Sequence, residues 1–492
     1  MDPSAPPASV PRGGSSSRGN SNDFNAGTGA GLDFLSLHPF VRATVRDKIR
    51  GTIVGSALGD CVGLYTEFLS KQLVRDAYPD GRFQLVDPAT EFRRDSHRDK
   101  FDQKAWTDDT DHALLILLSY LHHDGELSSQ DVAERLRSWV SQGLLCLGRP
   151  PLGLGRTVGS VVMDKAYLSN PARTAYRCWI KSNRKMAPNG SLMRTHPLGI
   201  ICLAYTLEET FHIAAEFSTI THADPRCVVA CCISTALIRG MLRGEVLNEE
   251  DLDLILEEAY KWADEWVRNG RGGADYLDLN DGQFVDGDLL DRDEFDRHVR
   301  AKTFEDLQLD DFAKIGYVYK CLGSAVLALR FGMRQAPQNA SATATATKKL
   351  SHAAVFEQTI TAITLEAGDA DTNACVAGAL LGCWIGYNSL PAHWRDGMMH
   401  LDWLVGKCDG LSCVLGVTQS PSEYRGSEDP DTRFDGGKGL MDEEQLAERD
   451  REFMARYMAK HAEGVEQERK RLEEEKKNKK KGWTGILSSL AG

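Results

Sequence analysis

The sequence predicts an all-α protein: a single compact multi-helix domain with a disordered N-terminal arm and a charged helical C-terminal tail. Three observations carry that expectation. From Leu37 to about Val417, apolar residues recur at helical spacing in successive segments, without the sustained alternation of a half-buried strand. Two segments place glycine at every fourth position, Gly51, Gly55 and Gly59, and Gly378, Gly382 and Gly386, so that each set lines one helix face. The 492 residues, 42% of them hydrophobic, suffice for one large core with appendages.

Residues 1–35 open the chain with a run rich in Pro, Gly, Ser and Asn, a composition that buries too little apolar surface to offset its ordering entropy. The helical body spans 36–420 and carries three excursions. Pro79–Lys104 is polar and charged and stands just ahead of an acidic motif, the position of a lid or substrate loop. The second, about 269–311, is crowded with Asp and Gly, so a surface insertion with little helix before Asp310 is expected. The third, about 335–349, reads QAPQNASATATATKK and is a low-complexity linker. Residues 421–492 begin as a polar loop and continue into a segment with charges of both signs and a thin stripe of Leu446, Phe453 and Tyr457. That pattern predicts a solvated helix touching the body along one edge, with a basic end at Lys476–Lys481.

A formal net charge of −13 argues against a protein that grips nucleic-acid backbones, which needs a basic footprint. Twelve cysteines occur without any C-x-x-C pair, which suggests neither a zinc site nor a redox motif. Buried reduced thiols are expected, and with them a reducing compartment, cytoplasmic or nuclear. The N-terminus lacks the apolar stretch of a secretory signal, and no uncharged apolar run reaches bilayer-spanning length; the longest begins at Ala374.

Glycine inside a helix costs about 1 kcal/mol against alanine, so three in register need a packing reason, and close approach of two backbones supplies one. Such helices would gather the acidic residues at their ends. GDCVGLYTEF after the first stripe gives Asp60 and Glu67, and LEAGDADTNA before the second gives Asp369, Asp371 and Thr372. WTDDTDHALLILLSYL starts a helix apolar on nearly every side with Thr107, Asp108 and Asp109. Each cluster alone also reads as an ordinary helix start, a hydroxyl capping an amide and carboxylates meeting the positive end of the dipole. Brought together, Glu67, Asp108, Asp109, Asp369 and Asp371 would repel at low dielectric and either hold protons or bind cations. Oxygen ligands without Cys or His at ligand spacing select a hard ion, Mg²⁺ or Mn²⁺ ahead of Ca²⁺, and five carboxylates suffice for two.

The segments GSALGDCVGLYTEF, WTDDT, PNGSLMR, ITHADPRC and GDADTNACVAGALLG occur in this order over about Val45 to Tyr387. In order and spacing they resemble the ADP-ribosylglycohydrolases. The resemblance implies an all-α fold around a central dinuclear site of two Mg²⁺ or Mn²⁺ ions. Thr107, Asp108 and Asp109 would bind one side of the pair, Asp369, Asp371 and Thr372 the other, with Asp371 bridging. Glu67 resembles the mobile glutamate near the metals, and Glu67, Asp369 and Asp371 are the candidate catalytic carboxylates. Asn189, Gly190, Ser191 and His222 become candidates for holding an ADP-ribose. On their own, Asn189-Gly190 marks a turn and His222 precedes a helix start at Asp224-Pro225. MAPNG ahead of Ser191 departs from a more glycine-rich phosphate loop. The implied activity is hydrolysis at the ribose anomeric carbon of an ADP-ribosylated protein or small ADP-ribose conjugate. The rivals are another two-metal hydrolase, such as a phosphatase or nucleoside hydrolase, and a non-catalytic binding protein on the same fold.

Overall fold

In the computed structural model, which describes residues 30–271, 290–335, 350–418 and 424–490, the two glycine-bearing helices form the central pair. Helix α1 (Pro39–Gly63) and helix α14 (Ala370–Ile385) run antiparallel with their backbones in contact. A Cβ built on Gly51 would stand 2.2 Å from Gly382 O, one on Gly55 2.5 Å from Gly378 O, and one on Gly59 2.0 Å from Ala374 O. The seam extends beyond the stripes read from sequence, since Gly63 meets Ala370 O in the same way. Gly386 plays a different part: it ends α14 at φ +82°, a conformation open to glycine. The antiparallel register puts the C-terminal end of α1, and so Asp60 and Glu67, beside the N-terminus of α14 with Asp369 and Asp371.

Around this pair lie α2 (Lys71–Ala77), α3 (Asp108–His122), α4 (Ser129–Gln142), α5 (Arg156–Val162), α6 (Pro171–Lys181), α7 (His196–Ile201) and α8 (Leu207–Thr219). They are followed by α9 (Pro225–Arg243), α10 (Glu249–Arg268), α11 (Arg292–Val299), α12 (Val318–Gln335) and α13 (His352–Leu365). After α14 come α15 (Ala392–Arg395), α16 (Leu401–Val414) and α17 (Glu443–Leu490). Among the described residues there is no strand, only two isolated bridges, Leu144 with Arg149 and Pro188 with Tyr317. The fold is all-α, and one apolar cluster runs through the body. Helix α3 is buried from Asp108 to Leu121, as its all-round apolar surface requires.

Helix α9 is buried along almost its whole length, packed against α7, α8, α10, α12 and α14. By length and composition it alone among the described helices is apolar enough to cross a bilayer, although the run from Ala374 is the longer one in an uncharged count. Within the protein, 94% of the apolar stretch of α9 is buried. The twelve cysteines form no disulfide among the described residues, ten of them being buried and Cys178 and Cys413 half-buried.

One expectation needs correcting. The Asp-rich insertion contains a helix before Asp310, α11, which docks on α12. Asp291 caps it by accepting from Glu294 N at 3.0 Å, and Phe295 and Val299, four positions apart, are buried on the side facing the body. Its outer side is held by Arg292, paired with Glu257 at 2.6 Å and Asp296 at 2.7 Å. Residues 272–289 of the insertion, most of the N-terminal arm and nearly all of the Ala/Thr linker lie outside the described residues, although Ala30–Ser36 form a 3-10 turn with Leu35 buried. Helix α17 touches the body along one edge, through half-buried Leu446, Phe453 and Tyr457 and buried Gly464.

Candidate functional site

The helix ends around the α1–α14 pair open onto a cavity of about 720 Å³. Its floor holds Glu67, Asp108, Asp109, Asp369, Asp371 and Thr372, and Asn189, Gly190 and His222 lie in its wall. Residues far apart in the chain thus meet as expected. One carboxylate oxygen from each of Glu67, Asp369 and Asp371 lies within 4.8 Å of the other two. Thr372 Oγ1 donates to Asp109 Oδ1 at 3.2 Å, joining the start of α14 to the start of α3.

Asp60 has a separate task. It reaches from α1 to the first turn of α3, where it accepts from Thr107 N at 2.9 Å, Thr110 N at 3.1 Å and Thr110 Oγ1 at 2.6 Å. The orphan amides at that helix start are therefore served from another helix, and Thr107 Oγ1 adds only a 3.4 Å contact to Asp109 N. Asp108 and Asp109 are consequently not needed as caps. Asp60, Asp109 and Cys375 also bring donor atoms within 4.8 Å, but Asp60 is occupied by its hydrogen bonds and the Cys375 thiol is bonded to Ser56 at 3.1 Å. The open donors face the other side. Asp109 Oδ2 and Asp371 Oδ1 are buried and have no partner among the described residues.

Burial dominates the electrostatics. It pushes the carboxyls of Asp108, Asp109 and Asp371 well above the usual range, and neighbouring acids add to the effect: Glu67 first for Asp108 and Asp371, Asp60 first for Asp109. Asp369 is pushed up to about 7 by burial and then by Glu67, against hydrogen bonds that oppose the rise. Asp60 rises to about 6, burial outweighing its four hydrogen bonds. Desolvated acids with unpaired oxygens, in an all-oxygen set with a threonine hydroxyl, fit a hard divalent cation. Asp108, Asp109, Asp369, Asp371 and Thr372 could hold it.

The wall is built by local geometry. Asn189 Nδ2 donates to Asp369 Oδ2 at 2.8 Å, and its N–H donates to Gly316 O at 3.0 Å, so the PNG turn and the approach to α12 are tied to the acidic floor. Gly190 packs against the His222 ring, where a Cβ would come within 3.1 Å of Nε2. His222 Nδ1 faces Thr221 Oγ1 at 2.8 Å, and burial together with the Arg194 charge pushes this imidazole well below its ordinary range, so it is neutral. Ser191 is elsewhere: fully buried beneath the turn, it pairs with Ser218 at 3.0 Å and Cys231 at 3.4 Å and does not line the cavity. Thr107 is likewise buried behind the floor.

Sequence reasoning missed five participants. Gly153 packs so closely on Asp108 that a Cβ would stand 2.1 Å from Oδ1; a loose glycine run without periodicity gave no signal for this. The excursion Pro79–Lys104 supplies no lining residue, because it packs on the outer side of Glu67. There His97 Nε2 lies 2.6 Å from Glu67 Oε2. Arg156, Lys185 and Lys314 line the cavity above the acids, which gives it an acidic floor and a basic rim.

Among curated proteins the chain is similar to an ADP-ribosylarginine hydrolase of Serratia proteamaculans (strain 568), 22% identical over 360 residues, covering 72% of this chain and 75% of that protein. It is also similar to an ADP-ribosylhydrolase of Xenopus tropicalis, 23% identical over 358 residues, covering 71% of this chain and 90% of that protein. Among solved structures, one described as an ADP-ribosylglycohydrolase-related protein complex aligns at 20% identity with a TM-score of 0.43, covering 76% of this chain and 99% of that one. With the profile of the ADP-ribosylglycohydrolases matching residues 41–420, the chain belongs to the ADP-ribosylglycohydrolase family.

Proposed function

We propose that this protein hydrolyses the glycosidic bond at the ribose anomeric carbon of ADP-ribosylated side chains or small ADP-ribose conjugates, releasing ADP-ribose. The observation that carries the reading is the acidic floor, with Asp109 Oδ2 and Asp371 Oδ1 buried and unpartnered where two helix starts converge. Two Mg²⁺ or Mn²⁺ ions would be held by Asp108 and Asp109 on one side and Asp369, Asp371 and Thr372 on the other. When bound, such ions orient hydroxyl groups and lower the pKa of water.

The chain's own groups do the rest. Glu67, at the edge of the floor and 6% exposed, accepts a proton from the attacking water. The excess of carboxylates stabilises the positive charge that develops on the ribose as the bond breaks. Asn189 holds Asp369 by its amide, Gly190 leaves room beside the neutral His222, and the basic rim of Arg156, Lys185 and Lys314 faces the phosphates of the substrate. A cavity of this size suits a nucleotide-sized ligand. Twelve cysteines without a disulfide among the described residues support a reducing compartment, cytoplasmic or nuclear.

The test is incubation with arginine-linked and serine-linked ADP-ribosyl peptides in Mg²⁺ and in Mn²⁺, with product analysis. Release of free ADP-ribose from at least one is expected. Release of inorganic phosphate instead, or no turnover with either ion, would overturn the assignment.

A further inference from the structure

Glu67 is fixed in two stages. Its backbone is clamped: Phe68 N donates to Gly368 O at 2.7 Å, Arg98 Nε to Tyr65 O at 2.9 Å, and Arg98 Nη2 to Glu67 O. Its carboxylate has one partner among the described residues, His97 Nε2 at 2.6 Å. The His97 ring is itself wedged between Phe68 and Phe101, with centroids 5.0 and 5.3 Å away. Asp95 accepts from His97 N and Arg98 N at 3.1 and 2.9 Å, and a further hold on this segment comes from beyond the family match, which ends at residue 420. Helix α17 returns to this segment. His461 Nδ1 lies 3.2 Å from Asp99 Oδ2, Lys460 Nζ donates to Phe101 O at 3.2 Å and pairs with Asp102 at 3.1 Å, and Arg94 donates to Lys460 O. Gly464 lets the helix come down on the Arg94 side chain, where a Cβ would be 3.2 Å from Nε. A cavity of about 510 Å³ separates the adjoining stretch of α17 from the body, so the contact is a local brace and not part of the core.

We infer that His97 is a positioning residue holding the Glu67 carboxylate for proton transfer, and that α17 clamps the segment that presents it. The inference rests on the proposed role of Glu67 at the reacting centre. A flexible glutamate must stay within hydrogen-bond reach of one water; an imidazole N–H locked between two aromatic rings limits it to that position. The clamp gives residues outside the catalytic body a direct hold on a group inside it.

The experiment uses the full-length protein with Mn²⁺. In His97→Ala, kcat should fall by about tenfold or more while KM stays within about twofold and Mn²⁺ affinity by calorimetry is unchanged. His97→Gln, whose amide can still donate to the carboxylate, should recover most of the loss. In the double variant Lys460→Ala/His461→Ala, amide hydrogen exchange should rise across 93–101 and across 63–68 without change elsewhere in α1. Unaltered kcat in His97→Ala, or a loss that the glutamine does not relieve, overturns the positioning role; unaltered exchange in the double variant overturns the clamp. If the parent protein turns over no ADP-ribosyl peptide, the functional reading fails separately, and exchange at 63–68 in both variants decides this one: an increase supports it, no change sinks it.

Discussion

The starts of α9 and α14 carry the same kind of residue and use it in opposite ways. At α9, Asp224 does what an acidic N-cap is expected to do, accepting from Arg226 N at 2.9 Å, and its remaining capacity is taken by Trp179 Nε1 at 2.7 Å and the Arg226 guanidinium at 2.7 Å. At α14, Asp369 occupies the cap position yet makes no capping bond, and Asp371 in the first turn keeps a buried oxygen without a partner. The start of α3 sides with α14, because Asp60 supplies its cap from outside and frees Asp108 and Asp109. An acid at a helix start is therefore informative about function only once its capping duty has been accounted for. Those with nothing to cap are the ones available to a cation.

The largest effect that separates the two starts is on metal and turnover. Asp371→Ala should abolish Mn²⁺ binding by calorimetry and lower turnover by about a thousandfold or more. Stability should divide with opposite signs. Asp224→Ala leaves Arg226 and a buried indole N–H without their acceptor and should cost about 3 kcal/mol in urea denaturation. Asp371→Asn removes one of several crowded, desolvated charges and should raise the metal-free Tm by about 2 °C. A drop in Tm for Asp371→Asn would mean that its carboxylate is structural after all.

A smaller effect is the dependence on pH. Asp369 is raised to about 7, and Asp371, Asp109 and Asp108 are raised as well. These four carboxyls thus bind more protons in the folded protein than in the unfolded chain between the ordinary carboxylate range and neutrality, whereas the buried neutral His112, His196 and His222 bind fewer. The contribution of these acids to the slope of stability with pH is negative there: it is fully present below the unfolded carboxylate values and is lost as pH rises through the folded ones. The gain in Tm from saturating Mn²⁺ over EDTA should therefore grow from pH 5 to 8, since the ion replaces protons on these acids and leaves the histidine contribution common to both melts. Binding should release protons, seen as a dependence of the calorimetric heat on buffer ionisation. The smallest change is expected for Thr372→Val, which removes one hydroxyl donor to Asp109 and should weaken Mn²⁺ binding by about tenfold with little effect on Tm.

Much of this was legible in the sequence because it is carried by periodicity. The four-residue glycine spacing announced the α1–α14 seam, and the seam predicted which acids would meet. The edge stripe of α17 was readable for the same reason. What stayed hidden depends on neighbours that spacing cannot report. His97 lies 30 positions from Glu67 in a polar excursion, and no local pattern links the two. Ser191 sits in the right motif, but a 3-10 turn at Asn189–Ser191 points it inward to Ser218. Helix α11 was masked by its charge, although Asp291 followed by Phe295 and Val299 held both a cap and an i, i+4 apolar pair. Asp60 and Asp371 look alike as letters; only the amides of α3 tell them apart.

The glycine seam sets a gauge for the acids. Where two helices meet through side chains, their separation drifts whenever a core residue changes size; where main chain touches main chain, the spacing is fixed by atoms that every residue shares. The distance from the end of α1 to the start of α14 is thereby insulated from variation in the surrounding core. Even one methyl inserted as a shim defeats it: at Gly59 the new carbon would lie 2.0 Å from Ala374 O. Relieving that overlap takes a displacement of about 1 Å, which can cost about a hundredfold in rate where reacting groups must stay aligned.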